Sequence, residues 1–322
     1  EHHLGEIYLQ KGQLEQSLEI YQKIIKQEPE YAQAYHKLGI VYSKQERYED
    51  AIIAFRKAIK VKPDFASAYR DLVKTFMQLE KFDEAIATCY AIINLVREYP
   101  WVYTHLSNAL RKKGRVAEAA ASIQKACAIR GWQECQTNNY SFNGDYFSHR
   151  IPTIESALES LVDRPNIHIL ILGNDKGMSA CWLLDKVLTH PSAKLTCIQD
   201  SANKQLDDNL AKTKAADKVT QQIGDIQKLA NSLDGETFDV VILQDRAKLT
   251  TRTQENASLA WNLTKIDGLI IFNDYGNKNS QNQAQNPRLG VDRFLESVSD
   301  CWSTISRAFH TNQLIIQKKN RE

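Results

Sequence analysis

The chain has 322 residues, enough for about two domains. Hydrophobic residues make up 43% and charged residues 25%, so real cores are affordable, and 41 basic against 39 acidic residues leave a net charge of +2, too small to call for nucleic acid or a membrane surface. No apolar run is long enough for a transmembrane helix, and Cys89, Cys127, Cys135, Cys181, Cys197 and Cys301 are scattered without a CxxC or a histidine cluster, which argues against a disulfide scaffold or a metal site and places the chain in a reducing, cytoplasmic setting.

From the first residues to about 130 the chain repeats itself. Tyr35, Leu38, Gly39, Tyr42, Ala51, Phe55, Ala58 and Pro63 recur 34 residues on as Tyr69, Leu72, Val73, Phe76, Ala85, Cys89, Ile92 and Arg97. A further step gives Tyr103, Leu106, Ser107, Leu110, Ala119, Ile123 and Ala126; a step back gives Leu4, Gly5, Tyr8, Ser17, Tyr21, Ile24 and Pro29. The spacing predicts helical hairpins: small residues at 39 and 51 let two helices approach, Tyr42 and Phe55 fill the gap between hairpins, and Pro29 and Pro63 end second helices. This frame resembles the tetratricopeptide repeat, which implies an α-solenoid of about four hairpins over 1–132, the first lacking its opening residues, as if further repeats preceded it.

Stacked hairpins present the first helix of each repeat to a concave groove. In this frame the groove positions include His36, Lys44, Arg70, Lys74, Asn108, Arg111 and Lys112, and no acidic residue falls among them. A mildly basic groove suits an acidic or carboxylate-bearing peptide, although an ordinary solvated face has the same composition.

Past residue 130 the period stops. An Asn-, Gly- and aromatic-rich stretch, assigned as a linker over 133–152, leads into a second domain over 153–322. There an amphipathic helix at 153–163 precedes apolar strands at 167–172, 194–199, 219–223, 238–243 and 268–272, with helices at 178–189, 204–216, 254–265 and 289–304 and closing strands near 306–310 and 312–318. Strands alternating with helices predict a doubly wound, mostly parallel sheet. Such sheets bind ligands at the carboxyl ends of their strands, and the turn Gly173-Asn174-Asp175-Lys176-Gly177-Met178-Ser179 follows the first strand. Its spacing is not that of a nicotinamide fingerprint. His168, His190 and His310 stand singly and suit packing or surface roles.

The run ILGNDKGMSACWLLDKVLTHPSAKLTCI, with FDVVILQD and GLIIFNDY after it, resembles a class I S-adenosylmethionine-dependent methyltransferase, and residues 140–152 are similar to the lead-in of such domains. The resemblance implies a Rossmann-like, seven-stranded fold, and a cofactor site at Gly173, Asn174, Gly177, Met178, Ser179, Gln199, Asp200, Asp225 and Gln244. It also implies that the aromatic group Tyr140, Phe142, Tyr146 and Phe147, whose plainer role is to seal a domain junction, could act as a lid, with the polar loop 276–286 near the site. The chain departs from the family where it matters chemically. Ile171, Gln199, Gln244 and Asn273 stand where carboxylates are usual, and the histidine after the fourth strand is replaced by Ala247. An amide is a poorer hydroxyl acceptor and a poor magnesium ligand. Asp245 and Asp274 are the remaining catalytic candidates, no metal is expected, and S-adenosylmethionine binding is expected to be weak or lost. The combined expectation is an interaction scaffold with an eroded methyltransferase-like domain; the alternative is an active methyltransferase whose repeats recruit the acceptor.

Overall fold

The computed structural model describes residues 1–96, 98–173, 176–244, 249–275, 283–308 and 311–320. It separates into two compact units, Glu1–Ile129 and Arg130–Glu322.

The first unit consists of antiparallel hairpins: α1 (His2–Gln10) with α2 (Leu14–Gln27), α3 (Ala32–Lys44) with α4 (Tyr48–Val61), α5 (Ala66–Gln78) with α6 (Phe82–Leu95), and α7 (Pro100–Lys112) with α8 (Val116–Ile129). The hairpin turns are alike in detail. Gly12, Glu46, Glu80 and Gly114, each 34 residues apart, take left-handed φ values of 74, 60, 56 and 75°. The next amide in each turn reaches back to the first helix: Gln13 to Tyr8, Arg47 to Tyr42, Lys81 to Phe76 and Arg115 to Leu110, all at 2.9 Å. This is a Schellman closure, which satisfies a helix-end carbonyl that would otherwise lack a partner. Helix contact within a hairpin depends on a missing side chain. A Cβ on Gly39 would lie 2.5 Å from the Phe55 ring, and one on Gly5 would lie 2.9 Å from Tyr21. The core runs continuously from one hairpin to the next, through Phe55, Leu72 and Phe76 to Cys89, Ile92 and Leu106.

The second unit opens with α9 (Glu134–Thr137) and α10 (Ile151–Leu158) and then alternates β1 (His168–Gly173), α11 (Met178–Lys186), β2 (Lys194–Gln199), α12 (Lys204–Leu210), β3 (Val219–Ile223), α13 (Ile226–Asn231), β4 (Phe238–Gln244), α14 (Thr250–Leu263) and β5 (Thr264–Phe272). After α15 (Pro287–Ser297) come β6 (Trp302–Ala308) and β7 (Gln313–Lys318). The sheet order is β3-β2-β1-β4-β5-β7-β6, with β7 antiparallel to both neighbours and the pairings among β1 to β5 parallel. This is the doubly wound, mostly parallel seven-stranded fold expected for a methyltransferase-like domain. One face packs Leu170, Leu172, Val241, Ile270 and Ile316 beneath Ala257, Ala260, Phe294 and Leu295 of α14 and α15.

Several boundaries differ from expectation. The helix expected over 204–216 stops at Leu210, and Thr213 Oγ1 then accepts from the Ala215 amide at 2.9 Å, a local turn that competes with helix. The six-residue α13 escapes periodicity altogether and is started by Asp225, whose side chain caps it. The strand β5 begins at Thr264 rather than 268, next to a register shift opposite Phe238 and Val240. The last helix ends at Ser297, so Trp302–Ser306, partly taken as helix, forms the edge strand β6 with a bulge at Thr304–Ser306. Residues 133–152, assigned as a linker, are packed into the second unit, and so is Trp132, which had been placed with the repeats.

The turn geometry yields a stability test. A non-glycine residue in the left-handed region costs about 1–2 kcal/mol, against about 0.5–1 kcal/mol of extra unfolded-state freedom for glycine. Glu46→Gly and Glu80→Gly should therefore each raise stability by about 0.5–1 kcal/mol. Thermal melts followed by circular dichroism measure this; an unchanged or lower midpoint would mean that these glutamates are held by something other than the turn.

Candidate functional site

The carboxyl edge of the sheet collects most of the residues singled out in the sequence. Gly173 ends β1 with φ 104°, Lys176 has φ 59°, and Gly177 caps α11 with φ 88°. A Cβ on Gly177 would lie 2.9 Å from Leu206 Cδ1 and 3.1 Å from its Cα, so α12 presses on this turn and leaves room only for glycine. Met178 and Ser179 are fully buried at the start of α11. Gln244, opposite Gly173 in the β1–β4 pairing, donates from Nε2 to Ser179 Oγ at 2.6 Å. These two side chains are thus engaged with each other. Asn174 and Asp245 lie outside the described residues, as do Arg246, Ala247, His310 and residues 276–282 of the polar loop.

At the end of β2, Gln199 is 3% exposed and its Oε1 has no hydrogen-bond partner among the described residues, while Asp200 beyond it is exposed. A buried acceptor left unpaired costs about 1–3 kcal/mol. Asp225, past β3, accepts from the Lys228 amide at 2.9 Å with one oxygen and is exposed. At the end of β5 the chemistry is different. Asn273 is fully buried and its Oδ1 accepts from Gln313 Nε2 at 2.7 Å. Asp274 Oδ1 accepts from the Arg150 guanidinium at 3.2 Å. Among the described residues no group of three His, Cys, Asp or Glu side chains is placed to hold a metal.

The stretch from 130 to 150 carries contacts that the sequence did not reveal. Asp185 on α11 accepts from Trp132 Nε1 at 2.8 Å, Tyr140 Oη at 3.0 Å and Asn138 Nδ2 at 3.2 Å. Arg130 pairs with the buried Asp145 at 2.8 Å. Asn209 on α12 grips Ser141 by both backbone groups, accepting from its N–H and donating to its carbonyl at 2.8 Å each. Lys176 of the glycine turn lies 4.1 Å from the Tyr146 ring centre and donates to its hydroxyl at 3.0 Å. With Arg150 on Asp274, this segment runs across the carboxyl edge from α12, past the β1 turn, to the end of β5. The aromatic cluster was visible in the sequence; Arg150, Asp185 and Asn209 had no local signal. His168 donates or accepts at Thr196 Oγ1 at 2.8 Å and packs on Phe238, a packing role.

In the first unit, α3, α5 and α7 touch one another along the array and form its inner layer. His36 is buried, and its Nε2 lies 2.8 Å from Asp71 Oδ2. Lys74 lies 3.4 Å from the other oxygen of Asp71. Burial alone would raise the Asp71 carboxyl, but the hydrogen bonds from His36 and Lys74 bring it below its ordinary value. The inner layer is therefore not free of acid: Asp71 takes up His36 and Lys74. Burial also lowers the pKa of His105 on α7, with help from Lys74 and Arg70. Lys44, Arg70, Asn108 and Lys112 are exposed, Arg111 is half-buried, and Trp101 packs between Tyr99 and His105.

Comparison with known proteins agrees with this division. The tetratricopeptide repeat family matches residues 1–64, 36–100 and 102–131, and the methyltransferase domain family matches residues 170–275. Among solved structures, the crystal structure of MamA is 24% identical over 41% of this chain and 78% of that one, with a TM-score of 0.39. MamA 41-end from Desulfovibrio magneticus RS-1 is 15% identical over 50% of this chain and 94% of that one, with a TM-score of 0.37. None of the curated proteins matches the chain.

Burial pushes the Asp185 carboxyl up to about 6 from its ordinary 3.8, against the opposing effect of the Trp132 and Tyr140 hydrogen bonds. Folded chain then holds this proton more firmly than unfolded chain, so the contribution of Asp185 to stability declines as pH rises from about 4 to about 6. Asp185→Asn, which does not titrate, should gain stability relative to the unmodified chain across that window. Parallel melting curves from pH 4 to 7 check this, and a difference that stays constant with pH would contradict it.

Proposed function

We propose that this chain, a tetratricopeptide repeat array joined to a methyltransferase-like domain, is a protein-interaction scaffold whose second unit keeps a cradle for S-adenosylmethionine but lacks the machinery to activate a methyl acceptor. The observation that carries this reading is the state of the β5 end, where Asp274 is paired with Arg150 and Asn273 with Gln313. S-adenosylmethionine supplies an electrophilic methyl group on a sulfonium; an acceptor hydroxyl must lose its proton to a positioned base or to a metal-lowered pKa. An amide takes no proton at neutral pH, and Asp274 Oδ1 is already engaged by the Arg150 guanidinium. Asp245, the other candidate, remains a proposal from the sequence alone.

The cradle itself fits the cofactor in part. Gly173 and Gly177 give the turn its left-handed backbone, and the N-terminus of α11 follows it, a setting that favours an anionic group such as a carboxylate. The buried, unpaired Oε1 of Gln199 is suited to accept a ribose hydroxyl, one where a carboxylate would accept two. Asp200 and Asp225, both exposed, flank it. This same unpaired oxygen favours the second reading, an active methyltransferase with the repeats recruiting its substrate, because a bound cofactor would relieve its cost. On the repeat unit, Arg70 and Lys112 are exposed cations of the inner layer, which suits an acidic peptide. With a net charge of +2, and with no described helix long and apolar enough to cross a membrane, neither nucleic acid nor a membrane is proposed as a partner; a cytoplasmic setting is.

Calorimetry with S-adenosylmethionine on the full chain separates the two readings. Weak or undetectable binding is expected, and Gln199→Asp should tighten it about ten- to 150-fold, the worth of a charge-assisted hydrogen bond of about 1.5–3 kcal/mol. A micromolar or tighter isotherm for the unmodified chain would favour the enzyme. For the repeat unit, Arg70→Glu with Lys112→Glu should weaken capture of an acidic peptide, with a smaller effect at high salt; unchanged capture would reduce this layer to a solvated face.

A further inference from the structure

The pairing of β4 with β5 is broken at the end of the sheet away from the glycine turn. Between the partners Phe238 with Thr264 and Val240 with Leu269, one residue of β4, Asp239, faces four of β5, residues 265–268. The other parallel pairings run without a shift, so closing the sheet does not require the extra length. It is folded tightly all the same. Asp267 takes a left-handed φ of 62°, which an L side chain disfavours. A Cβ on Gly268 would lie 2.9 Å from the Asp239 carbonyl oxygen and 3.0 Å from that of Lys265. From β7 and beyond it, Gln317 donates to the Asp267 carbonyl at 2.9 Å and Lys319 to its carboxylate at 3.2 Å. Bulges fixed in this way commonly re-aim side chains next to a binding site.

This bulge borders a hollow of about 350 Å³, walled on its other side by Ala157, Ser160, Leu161 and Arg164 and at its edge by Ile305 of β6. Small-molecule sites begin at about this size. The bulge supplies Ile266 and Leu269 to the lining, and Ile305, apolar and 45% exposed, stands across from them. The charges around the hollow cancel in pairs, except one. Lys265 Nζ donates to Asp239 Oδ2 at 2.9 Å, an oxygen that also accepts the His168 amide at 2.8 Å, and Asp267 takes up Lys319. Among the described residues neither the Arg164 guanidinium nor the Ser160 hydroxyl has a hydrogen-bond or ion-pair partner.

We propose that this hollow is a binding site for a small amphipathic acid. Arg164 takes the carboxylate, Ser160 Oγ adds a donor, and Ile266, Leu269 and Ile305 receive the aliphatic body. A guanidinium presents a planar pair of donors that a carboxylate matches with both oxygens. One surplus cation sets the ligand charge at one, which disfavours nucleotides and other multiply charged phosphates. The site lies at the amino ends of β4 and β5, whereas the glycine turn lies at the carboxyl ends, so its occupation is independent of S-adenosylmethionine.

Octanoate is the probe, titrated calorimetrically into the full chain with octanol and octylamine as neutral and cationic controls. Octanoate should bind saturably and about tenfold or more tighter than octanol, the effect of a charge-assisted hydrogen bond. Arg164→Gln, at an exposed position, should leave the melting temperature of the free chain unchanged and erase the difference between acid and alcohol. Ala157→Leu should fill the hollow and abolish binding of both. Arg70→Glu with Lys112→Glu, on the repeat unit, should leave octanoate binding as it was. Octanoate that fails to bind, binds no better than octanol, or binds Arg164→Gln as well as the unmodified chain would overturn the proposal. So would its loss in the repeat-unit variant, which would place the acid on the other unit.

Discussion

A helical hairpin of this size cannot enclose its own apolar surface, and that limit governs the first unit down to single atoms. Each hairpin must bring its two helices close enough to leave apolar side chains for its neighbours. The frame solves this by exchanging volume between two positions. Gly5 faces Tyr21 and Gly39 faces Phe55, with ring atoms where a Cβ would stand. In the third and fourth hairpins the equivalent pairs are Val73 with Cys89 and Ser107 with Ile123, all buried. Where the first helix gains bulk, the second gives it up. Close packing demands this, because an interior at crystal-like density tolerates neither a missing nor an extra group cheaply. Loss of the consensus glycine at 73 and 107 is thus compensated and does not signal a decaying repeat.

The second unit meets a different requirement, the disposal of polar groups at the ends of buried parallel strands. Here amides stand at the strand ends and are hydrogen-bonded to buried neighbours: Gln244 to Ser179, and Asn273 to Gln313. Burying an ionised carboxylate costs far more than burying an amide whose partner is to hand. Pairing is incomplete, however: among the described residues Gln199 Oε1, Gln313 Oε1 and Asn273 Nδ2 are buried without a hydrogen-bond partner.

Much of this architecture was legible in the sequence, for physical reasons. The repeats are readable because each position meets the same environment every 34 residues, and the inner strands because burial on both faces demands uninterrupted apolar runs. The glycine turn stood out because left-handed backbone leaves few residue choices. Elements that draw stability from elsewhere were not readable: α13 rests on a cap and a single apolar face, and β6 alternates too weakly to be told from the end of α15. At the site, Gln199 ends β2 and Asp274 lies two residues past β5, whereas nothing local links Arg150 to Asp274 or Gln244 to Ser179. The frame puts His36 on the inner layer, but its pairing with Asp71, one position from Arg70, is a contact between repeats that no local pattern announces.

The segment running along the carboxyl edge has a consequence for how the molecule is made. It precedes the sheet in the chain, yet Lys176, Asp185, Asn209 and Asp274, which hold it, all follow. A ribosome delivers the repeats in an order that suits them, each hairpin finding its predecessor already in place. The segment after them has no such support. Its partners arrive in turn: Asp185 for Trp132 and Tyr140, then Asn209 for Ser141, and last Asp274 beyond β5 for Arg150. During synthesis the segment therefore gathers its contacts one element at a time, and the last of them closes only when β5 is complete.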